Sequence, residues 1–546
     1  MFKELLEFHN EVGKKTSFWL PSLLFAIGAY SFSILNPTIS IDDLTRDLYV
    51  GEGNLMLAGR WGMVLWVKLF GITEYSPFID RYLALIFLLL AAYLACVVFY
   101  TIKPAGKLLP YTILASLIVT YPLINEIWEY TGANFVSTGN MALGALAIIT
   151  LLHGAKLPKP HKRKEQAKYM LAAALLLLLP CSSYESGIFY YISFVAFVIF
   201  HELITGRHPY SIRDFSGKIA RYVIPLATAL VLRVIITVVI LKIYHLDFRA
   251  EGDVGSDWLT GKPLVDSLLS FKAEMVLFGL SGLIYFPVTV MLAAAAIIML
   301  IGTYAAWKAR TWQSFALAAA AVVSTFLLPF IMCKSVMPRT ALPFHILTAY
   351  SGYLVCCCLL GRKKIYFTAA AGLLILCVHQ STYLNSLLSL NHIRSENELS
   401  ALRQMGLKLA STHPGKAVIF VSSYDTRNIL TERFYLNRTS WNHRLYSYIK
   451  THHTSRKGNQ TFKFVSTNLN PFSGINGRIG AYRFLFSYLG YGDINIIYPG
   501  TQEEKQLIAE AVKIAKEQDF PPYSIHDMGN YVIVVLSTPI REHPVL

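Results

Sequence analysis

Long apolar runs separated by short charged segments fill residues 1–385, and only short apolar runs follow. A helix needs about 20 mainly apolar residues to cross a hydrocarbon core roughly 30 Å thick. Eleven runs approach or reach that length, near 17–36, 82–101, 109–124, 138–153, 169–183, 188–205, 222–243, 284–306, 313–332, 345–361 and 365–385; the third to fifth are short. Residues 271–283 read as a re-entrant or interfacial helix before the eighth run. Residues 1–16 read as an interfacial helix, with Phe2, Leu5, Leu6 and Phe8 set against Lys3, Glu4, Glu7 and Glu11. They are not a cleavable signal, because the run behind them is a full span with no small-residue cleavage site after it. The pattern predicts a polytopic α-helical membrane domain over 17–385.

From 386 the runs Ala417–Ser422, Phe462–Val465, Ile494–Tyr498 and Tyr531–Leu536 have strand length and β-rich content. Thr501 to Lys516 reads as a helix, with an N-cap, early acids and late lysines. Strands alternating with helices predict a C-terminal α/β domain over 386–546.

Composition agrees. Hydrophobic residues make up 54% of the chain and charged residues 15%, against about 25% in soluble domains. That leaves too little charge to cover a soluble surface of this size. Abundant Phe and Tyr exclude a disordered chain. Of the seven cysteines, Cys96, Cys356, Cys357, Cys358 and Cys377 lie inside apolar runs and Cys181 and Cys333 near run ends, so no spacing suggests a disulfide framework or a zinc site.

The net charge of +16 raises nucleic acid or anionic lipid as partners, and its distribution favours the lipid. Segments 1–16, 102–108, 154–168, 206–221, 307–312 and 361–365 hold 20 Lys and Arg; the alternating segments hold nine. Acids run the other way, five against fourteen. By the positive-inside bias the N-terminus is cytoplasmic and the C-terminal domain lies outside, which for a chain in a bacterial inner membrane means the periplasm or cell surface. The basic run 156–164 reads as a loop held by anionic headgroups, and no nucleic-acid partner is expected.

Ionisable groups near the spans are the informative ones. The first outer loop carries Asp42, Asp43, Arg46 and Asp47, then Gly59-Arg60-Trp61-Gly62; the second carries Glu126 and Glu129; the short third holds Tyr184-Glu185; the fifth has Lys334 and Arg339. Glu74 and Asp80 read as solvated, and Trp61, Trp128 and Trp258 as belt aromatics rather than sugar platforms. Arg233, near the middle of the seventh run, would cost about 2.5–3.5 kcal/mol there. It should pair inside the bundle or reach a hydrated cavity.

A carboxylate can deprotonate a hydroxyl, and Arg or Lys can hold a phosphate leaving group. With a lipid-phosphate-linked sugar as donor, one base suffices, unlike the two carboxylates of a glycosidase. The membrane would deliver such a donor by lateral diffusion, and no nucleotide-binding motif is visible.

The acidic pair in the first outer loop of an N-in polytopic chain resembles the glycosyltransferase C superfamily. More narrowly, Ile41-Asp42-Asp43-Leu44-Thr45-Arg46 followed by Gly59-Arg60, with Tyr184-Glu185 and Pro338-Arg339, resembles the bacterial type II glucosyltransferases of serotype conversion. Members more often have Gln after the Tyr. The resemblance covers about residues 15–390. It implies inverting transfer of glucose from a polyprenyl-phosphate sugar donor to a surface polysaccharide such as O-antigen, or to a lipid-linked oligosaccharide acceptor. Asp42 or Asp43 would be the general base, with Arg46 holding it; Arg339, Lys334 and Arg60 would take the donor phosphate; Glu126, Glu129, Tyr184 and Glu185 would bind acceptor sugar. Some superfamily members need a divalent metal, which clustered acids would permit and the sequence does not require. The alternatives are a flippase of lipid-linked sugars, against which the absence of repeats and of several deep charges counts, and a polysaccharide polymerase or ligase.

Overall fold

A computed structural model describes residues 2–36, 55–72 except 57–58, 76–124, 127–128, 134–156, 162–206, 210–245, 286–332, 342–422 and 501–536, with parts of 265–275 and 486–497. Phe2–Phe8 (α1) and a π-turn at His9–Gly13 lead into α2, Thr16–Leu35, and α3, Trp61–Leu69. Then come α4 (Pro77–Ile102), α5 (Leu109–Thr120), α6 (Asn134–Ala155), α7 (Lys162–Ser183), α8 (Glu185–Thr205) and α9 (Ile212–Ile243). Helices α10 (Phe286–Ala309), α11 (Gln313–Ser324), α12 (Leu327–Met332), α13 (Leu342–Leu359) and α14 (Lys363–Thr412) complete the helical part.

Among the described residues nine helices are long and apolar enough to cross a membrane; Leu109–Ile124 and Gln313–Ser324, at the third and ninth apolar runs, are shorter. A turn at Thr325–Phe326 splits the ninth run between α11 and α12. Buried α6 packs between α4 and α7, while α9 exposes Val231, Val234, Ile235 and Val238, as a lipid-facing helix should. The weak helix expected at 271–283 lies almost wholly outside the described residues.

The N-terminal segment is helical, but its faces differ from the simple amphipathic reading. Phe8 is enclosed by Phe18, Tyr93, Tyr100 and Tyr111. Glu4, expected on the polar face, is buried, while Leu6 is exposed. Glu4 turns inward because His153 at the end of α6 meets its carboxylate at 2.7 Å.

The last span does not end at the membrane. Helix α14 runs 50 residues without a break, so the expected boundary at 385/386 falls inside it. Its C-terminal half lays Leu399, Leu402, Met405 and Leu409 on one face of a four-stranded sheet of order β2-β1-β4-β3. The strands are β1 (Ala417–Phe420), β2 (Asn495–Ile496), β3 (Ser524–Asp527) and β4 (Tyr531–Val535), parallel except for the β3–β4 pair. Val418, Phe420, Val532 and Val534 meet α14; the alternate residues Ile419, Val421, Ile533 and Val535 meet α15, Gln502–Glu517. Side chains that alternate in this way give the sheet two apolar faces, and each takes one helix. The capping box of Thr501 with Glu504 starts α15 where its sequence signals place it. The strand expected at 462–465 lies outside the described residues.

Candidate active site

The Gly59-Arg60-Trp61-Gly62 segment is built to bring one guanidinium to the end of the bundle. Gly59 has φ +69°, a backbone region that costs an L side chain roughly 1–2 kcal/mol. A Cβ on Gly62 would lie 2.9 Å from the Ser182 carbonyl, so only glycine lets the start of α3 sit on the last turn of α7. Backbone bonds from Gly59 to Met56 and from Arg60 to Leu55 close this turn.

Arg60 therefore stands beside the junction of α7 and α8. Tyr184 is extended there and Glu185 opens α8, where the helix dipole favours a carboxylate. Arg60 Nη2 donates to Glu185 Oε2 at 3.3 Å, and the guanidinium lies 5.6 Å from the centre of the Tyr184 ring. Arg233, one turn before Thr237 on α9, reaches the other carboxylate oxygen at 4.0 Å. Glu185 thus lies between two guanidiniums. Arg60, Arg233 and Glu185 remain partly open, with side-chain exposures of 16%, 21% and 29%. Such a cluster suits an anion that takes a second face of the guanidiniums. Arg233, placed near mid-span by the sequence pattern, thus finds its partner at the α7–α8 junction.

The segment carrying the acidic pair leaves α2 at a fixed point. Arg81 is buried and donates from Nη1 to the Ser33 carbonyl at 2.5 Å and the Asn36 carbonyl at 3.5 Å. It satisfies carbonyls that the end of α2 would leave open and complements the negative end of its dipole. Trp128 Nε1 donates to Ser33 Oγ at 2.8 Å, and its ring stacks on Tyr30 with centroids 4.0 Å apart.

Two sequence expectations are corrected here. Asp80 is fully buried rather than solvated, because α4 starts at Pro77, some five residues before its apolar run. Trp128 is enclosed in the core and is not a membrane-belt aromatic. Of the expected site residues, the structure brings together Arg60, Tyr184 and Glu185, which the sequence reading had divided between donor and acceptor roles. Asp42, Asp43, Arg46, Glu126, Glu129, Lys334 and Arg339 lie outside the described residues, as does Trp258. Among the described residues no group of three His, Cys, Asp or Glu side chains could hold a metal. Sequence reasoning passed over Arg81; the Ser76-Pro77 helix start, which places residues 80 and 81 inside α4, was the available signal.

Apolar helices that bring two guanidiniums and a carboxylate together fit an integral-membrane glycosyltransferase. The family described as "Glucosyl transferase GtrII" matches residues 31–356, more than half of the 546-residue chain. The chain belongs to this family and is a glycosyltransferase; the family's chemistry is glucosyl transfer in surface polysaccharide modification. The match spans every expected site residue from Asp42 to Arg339 and stops before the C-terminal sheet. No curated protein and no solved structure matches the chain.

Proposed function

We propose that the enzyme transfers glucose, with inversion, from a polyprenyl-phosphate donor to a surface polysaccharide such as O-antigen at the outer face of the bacterial inner membrane. The observation that carries this reading is the Arg60–Glu185–Arg233 cluster, a partly open site in which two guanidiniums meet one carboxylate. Arg60 and Arg233 hold the donor phosphate, with Lys334 and Arg339 adding charge, while Glu185 fixes the two guanidiniums. Asp42 or Asp43 removes the proton from the acceptor hydroxyl. Its oxygen attacks C1 of the sugar, and the C1–O bond to phosphate breaks with both electrons leaving on the lipid phosphate. Adjacent residues cannot both aim at one atom, so one aspartate is the base and its neighbour orients it. Arg46 holds that carboxylate, and Glu126 and Glu129 bind acceptor hydroxyls. The C-terminal sheet stands outside the membrane with the acceptor.

The test is transfer from polyprenyl-phosphate [14C]glucose to purified polysaccharide by the protein in membranes. Asp42→Asn and Asp43→Asn variants that insert normally should include one with transfer reduced at least 1000-fold. Full transfer by both would defeat the assigned base.

A further inference from the structure

Far from the Arg60–Glu185 pair, the bundle has a second basic recess. Glu185 and Glu202 lie at opposite ends of α8, about 25 Å apart at 1.5 Å per residue. Around Glu202 the ends of α4, α6 and α8 and the first turns of α9 border an open recess of about 480 Å³, lined by Lys103, Lys156, Lys218 and Arg221 as well as Tyr210. Four cations face one carboxylate.

That carboxylate is already committed. Lys218 pairs with Glu202 and stands 4.7 Å from the centre of the Tyr210 ring. The Tyr210 hydroxyl donates to Glu202 at 3.4 Å. Burial first, and then the nearby Glu202 charge, push the Tyr210 phenol above its ordinary value, so it remains a hydrogen-bond donor. Lys156 donates to the Thr101 carbonyl at 2.7 Å. Lys103 and Arg221 make no ion pair among the described residues, so the recess carries uncompensated positive charge in a space large enough for a phosphorylated headgroup. Its basic residues belong to segments that the Lys and Arg bias assigns to the cytoplasmic face.

We propose that this recess is a phosphate-binding site separate from the transfer site, in which Lys103 and Arg221 hold the phosphate of an anionic lipid headgroup or a soluble phosphate compound. Arg221 offers a planar fork to two phosphate oxygens, Lys103 and Lys156 contribute point charges, and the Tyr210 hydroxyl can rotate from Glu202 to a phosphate oxygen.

The test uses the full chain in zwitterionic detergent and follows its thermal unfolding. One arm adds phosphatidylglycerol in mixed micelles with phosphatidylcholine; the other adds inorganic phosphate at constant ionic strength. The wild-type protein should show a saturable rise in melting temperature, and Lys103→Gln with Arg221→Gln should weaken the apparent affinity at least 10-fold. Lys308→Gln with Arg310→Gln, on the same predicted face but outside the recess, should leave it unchanged. A response to phosphatidylglycerol alone identifies a lipid headgroup, whereas a response to both with competition identifies a phosphate site open to soluble compounds. If the double variant does not fold, Lys103→Gln alone carries the comparison, with at least a 3-fold loss expected. Absence of a response in both arms, or equal responses in the wild-type and recess variants, would overturn the proposal.

Discussion

Arg60 and Glu185, 125 positions apart in the chain, meet at 3.3 Å where α3 crosses the junction of α7 and α8. The pair joins the start of α3 to the junction of α7 and α8, and through Glu185 it engages Arg233 of α9. A hydrogen bond to a charged group contributes roughly 1.5–3 kcal/mol, equivalent to about 10–100-fold in rate or binding when the pair shapes the site.

Glu185→Gln removes the charge between two guanidiniums while keeping the side-chain size. The expected outcome is a 10–100-fold loss in kcat/KM for transfer, mainly through a raised KM for the donor as the two arginines repel each other. Steady-state kinetics with varied donor checks this. Unchanged donor KM would mean that Glu185 does not set the phosphate site.

Arg81→Met should destabilise the protein by about 2–4 kcal/mol, because the α2 carbonyls of Ser33 and Asn36 lose a buried charged donor. Arg81→Lys should restore little, since one ammonium replaces a guanidinium that reaches both carbonyls. Thermal unfolding measures the first effect. The second is read as transfer activity in the folded fraction, because loosening this end of α2 also loosens the start of the segment that holds Asp42 and Asp43.

Gly62→Ala places a methyl 2.9 Å from the Ser182 carbonyl and must push α3 away from α7. We expect about 1–3 kcal/mol of destabilisation, in the range of an overpacked contact. Transfer should fall by at least 10-fold, since the shift separates Arg60 from Glu185. Gly71→Ala is the control for a glycine with positive φ: nothing lies within 4 Å of its added Cβ, so only backbone strain remains and transfer should persist.

The sheet region should lose stability only in acid. Lys416 bonds the Asp527 carboxylate at 2.6 and 2.7 Å and, with the Gly529 amide, holds its carboxyl below the ordinary range. A depressed folded value stabilises above the unfolded value, near pH 3.9 for Asp, and that contribution fades as pH falls through the folded value. Thermal unfolding of wild type and Asp527→Asn should therefore differ above about pH 4 and converge as pH falls through the depressed folded value. A constant difference across that range would rule out this linkage.

The apolar runs were legible in the sequence because lipid demands about 20 residues of one character, and among the described residues nine of the eleven coincide with helices long and apolar enough to cross a membrane. Their ends were not. Pro77-Phe78-Ile79-Asp80-Arg81 reads as loop because a buried Asp and Arg contradict an apolar span, and the carbonyls of Ser33 and Asn36 that receive Arg81 are remote in sequence. Glu185 was legible as a residue held near the membrane surface, but its partners were not, because nothing local relates position 185 to positions 60 or 233. Conversely, Arg233 announced its need for a partner through the cost of its depth. The continuity of α14 from span into sheet domain was hidden by the change in composition near 386, which altered what surrounds the helix without ending it.

The most direct test of the central claim is donor dependence in the purified, membrane-reconstituted enzyme, with the product read by mass spectrometry. With polyprenyl-phosphate glucose and a polysaccharide acceptor, the wild-type enzyme should add single hexoses. The double variant Arg60→Ala, Arg233→Ala should raise the donor KM at least 100-fold without changing the product. Transfer from a nucleotide sugar with none from the lipid donor, or an unchanged donor KM in a folded double variant, would contradict the account.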